Sequence, residues 1–130
     1  IGVLDLPRMA ERSRHWMGAL RVKARSPWQR VSALSGGNQQ KVAIARLLHG
    51  EARILLLDEP TRGVDVGAKR EIYRVMSDFA RGGGAVVMVS SETDEILGMA
   101  DRVIVLKDGR IAGELSRAEL SAERLLHLAA

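Results

Sequence analysis

The chain has 130 residues, of which 46% are apolar, 28% charged and 3% aromatic. It has no cysteine and a formal net charge of +4. The apolar content suffices for one packed domain; the missing thiols exclude a disulfide scaffold, a thiolate metal site and a thiol nucleophile, and the few aromatics exclude a stacking platform for single-stranded nucleic acid. The first thirty residues are basic (Arg8, Arg12, Arg14, Arg21, Lys23, Arg25, Arg30), with an irregular apolar stripe through Leu4, Leu6, Met9, Trp16, Met17 and Leu20. They read as a solvated amphipathic helix, broken at Ser26-Pro27. Asn38 to His49 is helical in pattern, with Val42, Ile44, Ala45 and Leu48 close to one side and Gly50 as its stop. Ile54 to Leu57 is apolar at every position, as in the middle of a mostly parallel sheet. Gly67 to Arg81 is the clearest helix, with Ile72, Val75, Met76 and Phe79 at i, i+3, i+4 and i+7. After Gly82-Gly83-Gly84 come a second buried strand at 85–89, a short helix at 92–99 and a strand at 103–106. Asp108-Gly109 is a two-residue hairpin turn into a strand at 111–115. Ser116 and Glu119 have capping-box spacing ahead of a last helix with Leu120, Leu125 and Leu128.

Strands alternating with helices predict an α/β fold with parallel strands, and the hairpin adds an antiparallel edge. The longest apolar runs are far short of the roughly 18 residues needed to span a bilayer. The first residue is Ile1, so the sequence reads as a piece of something longer.

Two constellations carry chemistry. Leu34-Ser35-Gly36-Gly37-Asn38-Gln39-Gln40-Lys41 stands at a helix start. Glycines let a backbone approach a ligand, and the free N–H groups and positive dipole end of the helix favour an anion. The alternative is that Ser35 only caps the helix and the glycines form a turn. The second is Leu55-Leu56-Leu57-Asp58-Glu59-Pro60, which puts two carboxylates at the end of a buried strand, where α/β sheets bind ligands. Asp58 suits Mg²⁺ as a hard oxygen ligand, and Glu59 suits orienting or deprotonating a water. The alternative is a pair of exposed strand-end carboxylates. Asp65 and Ser91 are placed to cap the helices that follow them.

Taken in this order, the motifs resemble the C-terminal part of an ATP-binding-cassette nucleotide-binding domain, from about Met9 to the C-terminus. Leu34 to Gln40 resembles the signature motif, Leu55 to Glu59 the Walker B strand, and Gly63-Val64-Asp65 the D-loop. The wider run, with Asp58-Glu59-Pro60-Thr61-Arg62-Gly63-Val64-Asp65-Val66-Gly67-Ala68-Lys69, is similar to the second cassette of bacterial monosaccharide importers. Nucleoside and signalling-sugar importers have similar sequences.

The resemblance implies a partial P-loop NTPase fold. Residues 1–50 would be the end of the helical subdomain with the signature, and residues 51–130 the C-terminal part of the RecA-like core. It implies ATP and Mg²⁺ as ligands, with Ser35, Gly36, Gly37 and Gln39 serving ATP on a partner cassette and Asp65 in the D-loop. Asp58 would be the Mg²⁺ ligand and Glu59 the catalytic glutamate. The implied partners are a second cassette, membrane permease subunits and, indirectly, a solute-binding protein, with no nucleic acid. The implied location is cytoplasmic, on the inner face of the cell membrane. Two departures stand out. The sequence has no Gly-x-x-x-x-Gly-Lys-Ser/Thr, so no P-loop cradles a phosphate, and these 130 residues alone are expected to be inactive. Ser91 stands where many cassettes carry a switch histidine, and serine cannot carry imidazolium charge. The alternatives are a non-transport cassette ATPase acting on nucleic acid, or a piece that acts only as an interaction module.

Overall fold

The computed structural model describes residues 4–130. They divide into two compact units, at Met88/Val89.

The first unit opens with α1 (Leu6–Ala19), whose Asp5 accepts from the Arg8 N–H at 3.0 Å and whose first turn holds Pro7. The helix ends in a Schellman turn: Arg21 N–H bonds Gly18 O at 3.2 Å and Val22 N–H bonds Met17 O at 2.8 Å. Arg21 takes the left-handed conformation that glycine usually supplies there (φ 50°). The helical expectation for the first thirty residues therefore holds only to Ala19. A short 3₁₀ turn, Val31–Ala33, leads into α2 (Gly36–His49). This helix starts two residues before the periodicity predicts, because glycines carry no apolar signal. Gly50 caps it with an ordinary φ, and the left-handed residue is Glu51 (φ 55°).

Strand β1 (Ile54–Asp58) pairs with β2 (Ala85–Val89) in a parallel two-stranded sheet, joined through α3 (Val66–Arg81). A parallel pair needs such a crossover. Helix α3 buries Ile72, Val75 and Met76, as its spacing predicts. Only one face of β1 is covered: Leu55 is 1% exposed and Leu56 is 73% exposed. The sequence suits burial on both faces, but among the described residues nothing covers the second. Gly84 fits against the Phe79 ring, where a methyl group would lie 2.3 Å from ring carbon Cε1.

In the second unit, α4 (Thr93–Met99) precedes a hairpin of β3 (Arg102–Lys107) and β4 (Arg110–Ser116). Asp108 and Gly109 both have positive φ, 50° and 73°, as a tight turn of this type requires. The antiparallel register pairs Lys107 with Arg110 and Arg102 with Ser116, with an irregularity between Val105 and Leu106. The hairpin is a sheet of its own rather than an edge added to β1–β2. Helix α5 (Ala122–Ala129) packs on it through Leu125 and through Leu128, which lies over Gly113.

Ser116 and Glu119 do bond each other, through the Ser116 N–H at 3.0 Å and its hydroxyl at 2.6 Å. These bonds hold the Glu119 carboxyl below its ordinary range. They close a turn, however, and the cap of α5 is Ser121, which accepts from Arg124 N–H. The spacing rule identifies the contact but not the element it serves. No helix among the described residues is long and apolar enough to cross a membrane.

Ile72 is wholly buried. Ile72→Ala is expected to destabilise the chain by about 2–5 kcal/mol. Leu56→Ala, on the open face of β1, should cost well under that in the same urea titration.

Candidate functional site

The buried stripe of α2 is Gly37, Lys41 and Ile44 rather than Val42, Ala45 and Leu48. A glycine and a lysine on the covered face are invisible to a hydrophobicity pattern, and their neighbours explain them. A methyl group on Gly37 would lie 2.6 Å from the Ala68 Cβ and 3.3 Å from Val64 Cγ1. Only glycine allows the start of α2 to sit this close to the 64–68 segment. Gly36 is different: it is exposed, and a methyl there would meet nothing nearer than the Gly63 carbonyl at 3.7 Å.

Ser35 occupies the N-cap position of α2, in extended conformation, but its hydroxyl makes no capping bond. The alternative reading, in which Ser35 only caps the helix, is therefore not met. Ser35 Oγ instead accepts from Asn38 Nδ2 at 2.8 Å, and Asn38 Oδ1 accepts from the Lys23 N–H at 2.7 Å. Gln39 Nε2 donates back to the Leu34 carbonyl at 2.9 Å. A cleft of about 530 Å³ lies between α1, the 22–34 loop and the middle of α2, and is lined by Met9, Trp16, Val22, Leu34 and Val42.

Lys41 is 3% exposed. Its ammonium donates to Glu71 of α3 and, at 3.2 Å, to the Arg21 carbonyl. This hydrogen bond from Lys41 holds the Glu71 carboxyl below its ordinary value of 4.5, with Lys41, Arg21 and Lys23 adding their charge against some desolvation. One cation thus ties the exit of α1, the first turns of α2 and the second turn of α3. The pair spans 30 residues, so no local pattern reveals it.

At the end of β1, Asp58 lies on the exposed face with Ile54 and Leu56. Glu59 turns the chain with φ 47°, and Arg62 N–H closes the turn on the Glu59 carbonyl at 3.1 Å. Non-glycine residues are uncommon in this conformation; Arg21, Glu51 and Asp108 share it. Thr61, within the Glu59 turn and passed over by the motif reading, is 1% exposed. Asp65 caps α3 as expected, accepting from Ala68 N–H at 3.0 Å. The described residues contain no group of three or more His, Asp or Glu side chains gathered as a metal cage. A single strand-end carboxylate fits Mg²⁺, which keeps water and phosphate oxygens among its ligands.

The structure thus brings Gly37, with Gly36 beside it, against the loop that carries Asp65. Ser91 belongs to the second unit, is exposed, and is not the cap of α4. That position falls to Glu92, whose side chain makes no capping bond, while Ser90 Oγ accepts from Glu92 N–H at 3.0 Å and pairs with buried Glu95.

Residues 6–62 match the ABC transporter family. The chain is 52% identical over 132 residues to the ribose import ATP-binding protein RbsA 2 of Burkholderia pseudomallei, covering 99% of the chain and 26% of that protein. It is 50% identical over 127 residues to the arabinose import ATP-binding protein AraG 1 of Burkholderia thailandensis, covering 97% of the chain and 25% of that protein. The chain therefore spans about a quarter of the length of these curated relatives. Among solved structures, it matches a dimeric ATP-binding cassette in a post-hydrolysis state bound to ADP and Pi, at 28% identity and TM-score 0.76, over 89% of the chain and 50% of that structure. A second cassette of an ABC transporter matches in fold, with TM-score 0.80 at 22% identity, over 98% of the chain and 52% of that structure. The fold is that of part of an ATP-binding cassette. Within that class, the chain matches the ATPases of ABC sugar importers.

Because Glu71 has a lowered pKa, its pairing adds stability that is full above pH 4.5 and is lost as pH falls through the lower folded value. Glu71→Ala leaves a buried ammonium with only the Arg21 carbonyl, at an expected cost of about 1–3 kcal/mol. Glu71→Gln keeps an acceptor and should cost less. Urea titrations at several pH values should show a shallower loss of stability below pH 4.5 in both variants than in the parent.

Proposed function

We propose that the chain is part of a cassette that hydrolyses ATP to drive sugar import through a membrane permease. The observation that carries this reading is the start of α2. Gly37 pins it on the 64–68 segment, while Ser35 and Gly36 stay exposed at its positive dipole end. That arrangement occurs in a chain about half identical to ribose and arabinose import ATP-binding proteins.

In this reading a second cassette faces the chain. Ser35, Gly36 and Gly37 meet the phosphates of ATP held by that partner, where backbone N–H groups and a hydroxyl suit an anion. Gln39, one of whose amide N–H groups is used on Leu34, offers the ATP its amide oxygen and its second N–H. Asp65 sets the D-loop by capping α3. On the chain's own side, Asp58 holds Mg²⁺, which neutralises phosphate charge when bound. Glu59 orients or deprotonates the attacking water. Ser91 donates a hydrogen bond at the switch position but brings no charge. Residues 1–50 act as the end of a helical subdomain and residues 51–130 as part of the ATPase core. The phosphate-cradling loop lies outside this sequence, so the 130 residues alone leave ATP intact. The assembled cassettes lie on the cytoplasmic face of the membrane against the permease, and a solute-binding protein acts on the opposite side.

In the assembled transporter, Ser35→Arg is expected to abolish sugar uptake and leave nucleotide binding at the chain's own cassette within about twofold of the parent, because the arginine fills space used only by the partner's ATP. Nucleotide titration beside an uptake assay checks this. Undiminished uptake would contradict the reading.

A further inference from the structure

The signature end of α2 contains a hydrogen-bond chain whose direction can be worked out. Asn38 Oδ1 and Nδ2 are told apart only by their partners. A backbone N–H can only donate, so the Asn38 atom 2.7 Å from the Lys23 nitrogen is the oxygen. The –NH₂ group therefore faces Ser35 Oγ, at 2.8 Å, and Ser35 is the acceptor there. A serine hydroxyl has one proton and two lone pairs. With a lone pair fixed on Asn38 and no capping bond to α2, the Ser35 proton is left for an acceptor outside the chain.

The anchor of this relay is itself held. Lys23 follows the Schellman turn, where Val22 N–H bonds Met17 O at 2.8 Å. The Arg21 carbonyl receives the buried Lys41 ammonium at 3.2 Å. The Lys23 N–H is thus aimed at Asn38 by the same clasp that joins α2 to α3.

We propose that Asn38 is a positioning residue that holds the Ser35 hydroxyl as a hydrogen-bond donor to a phosphate oxygen of ATP on the partner cassette. This assignment rests on the reading of Ser35 as a contact to the partner's nucleotide. Asn38 touches no nucleotide in it and acts only through Ser35. Aspartate at this position would still accept from Lys23. Having no N–H, it would take the Ser35 proton for itself and turn the donor inward.

The test is steady-state ATPase activity of the assembled two-cassette transporter, comparing Ser35→Ala, Asn38→Asp, Asn38→Ala and the two double variants. A lost hydrogen bond to a charged group predicts a kcat decrease of roughly 10- to 100-fold for Ser35→Ala and Asn38→Asp, with a smaller change in KM. Asn38→Ala, which frees the hydroxyl without reversing it, should fall between these and the parent. In the Ser35→Ala background both Asn38 changes should have less than about a twofold further effect, the non-additivity expected of groups acting through one another. A loss from Asn38→Asp that is equally large with and without the Ser35 hydroxyl would overturn the proposal, as charge repulsion or local unfolding would act in both backgrounds. Full activity of Asn38→Asp beside an impaired Ser35→Ala would overturn it too, while sparing the role of Ser35. Full activity of Ser35→Ala would overturn both this assignment and the reading beneath it.

Discussion

A helix can lie this close to a neighbouring loop only where it has no side chain, and α2 does so at Gly37. The Ala68 methyl and Val64 occupy the space a Cβ would need. Most of what surrounds the candidate site follows from that contact. It brings α2 beside α3, so that Lys41, one turn further on, reaches Glu71. Lys41 also takes the Arg21 carbonyl, which fixes the stretch whose next N–H but one is bonded to Asn38. The loop pressed on Gly37 is the one whose Asp65 starts α3. Two segments with separate roles in the proposed reaction therefore form one mechanical piece. A shift in one is passed to the other through packing and a buried ion pair.

The uneven burial of β1 has a related meaning. Leu55 and Leu57 are covered while Ile54 and Leu56 face outward, although all four are apolar. Val87 and Val89 on β2 are likewise exposed. A strand apolar on both faces suits a sheet covered on both sides. Such a pattern belongs with a chain that spans about a quarter of its relatives' length.

Much of the fold was legible in the sequence. The spacing of Ile72, Val75 and Met76 marked the buried face of α3, Asp108-Gly109 marked the hairpin, and Asp65 marked a cap; each depends on local backbone preference or on one period. The ATP-binding-cassette class was legible from the order of short motifs. What stayed hidden depends on tertiary neighbours. Ser35 has the right place for a cap, but Asn38 holds its hydroxyl elsewhere. Ser91 has cap spacing, yet the helix starts after Glu92 and Ser90 makes the local bond. The covered face of α2 carries a glycine and a lysine, which no hydrophobicity pattern selects. Thr61 is buried: Pro60 announces the turn that Arg62 N–H closes on the Glu59 carbonyl, but not that the threonine within it is covered.

The central claim is that the start of α2 faces nucleotide held by another cassette. The chain has no cysteine, so Ser35→Cys introduces a single thiol into it. The direct measurement is the rate of maleimide labelling at that position in the assembled transporter, read by mass spectrometry of the peptide, with and without a non-hydrolysable ATP analogue. The account predicts strong protection by the analogue in the assembly and none in the isolated 130-residue chain. Labelling in the assembly that is indifferent to nucleotide would contradict it.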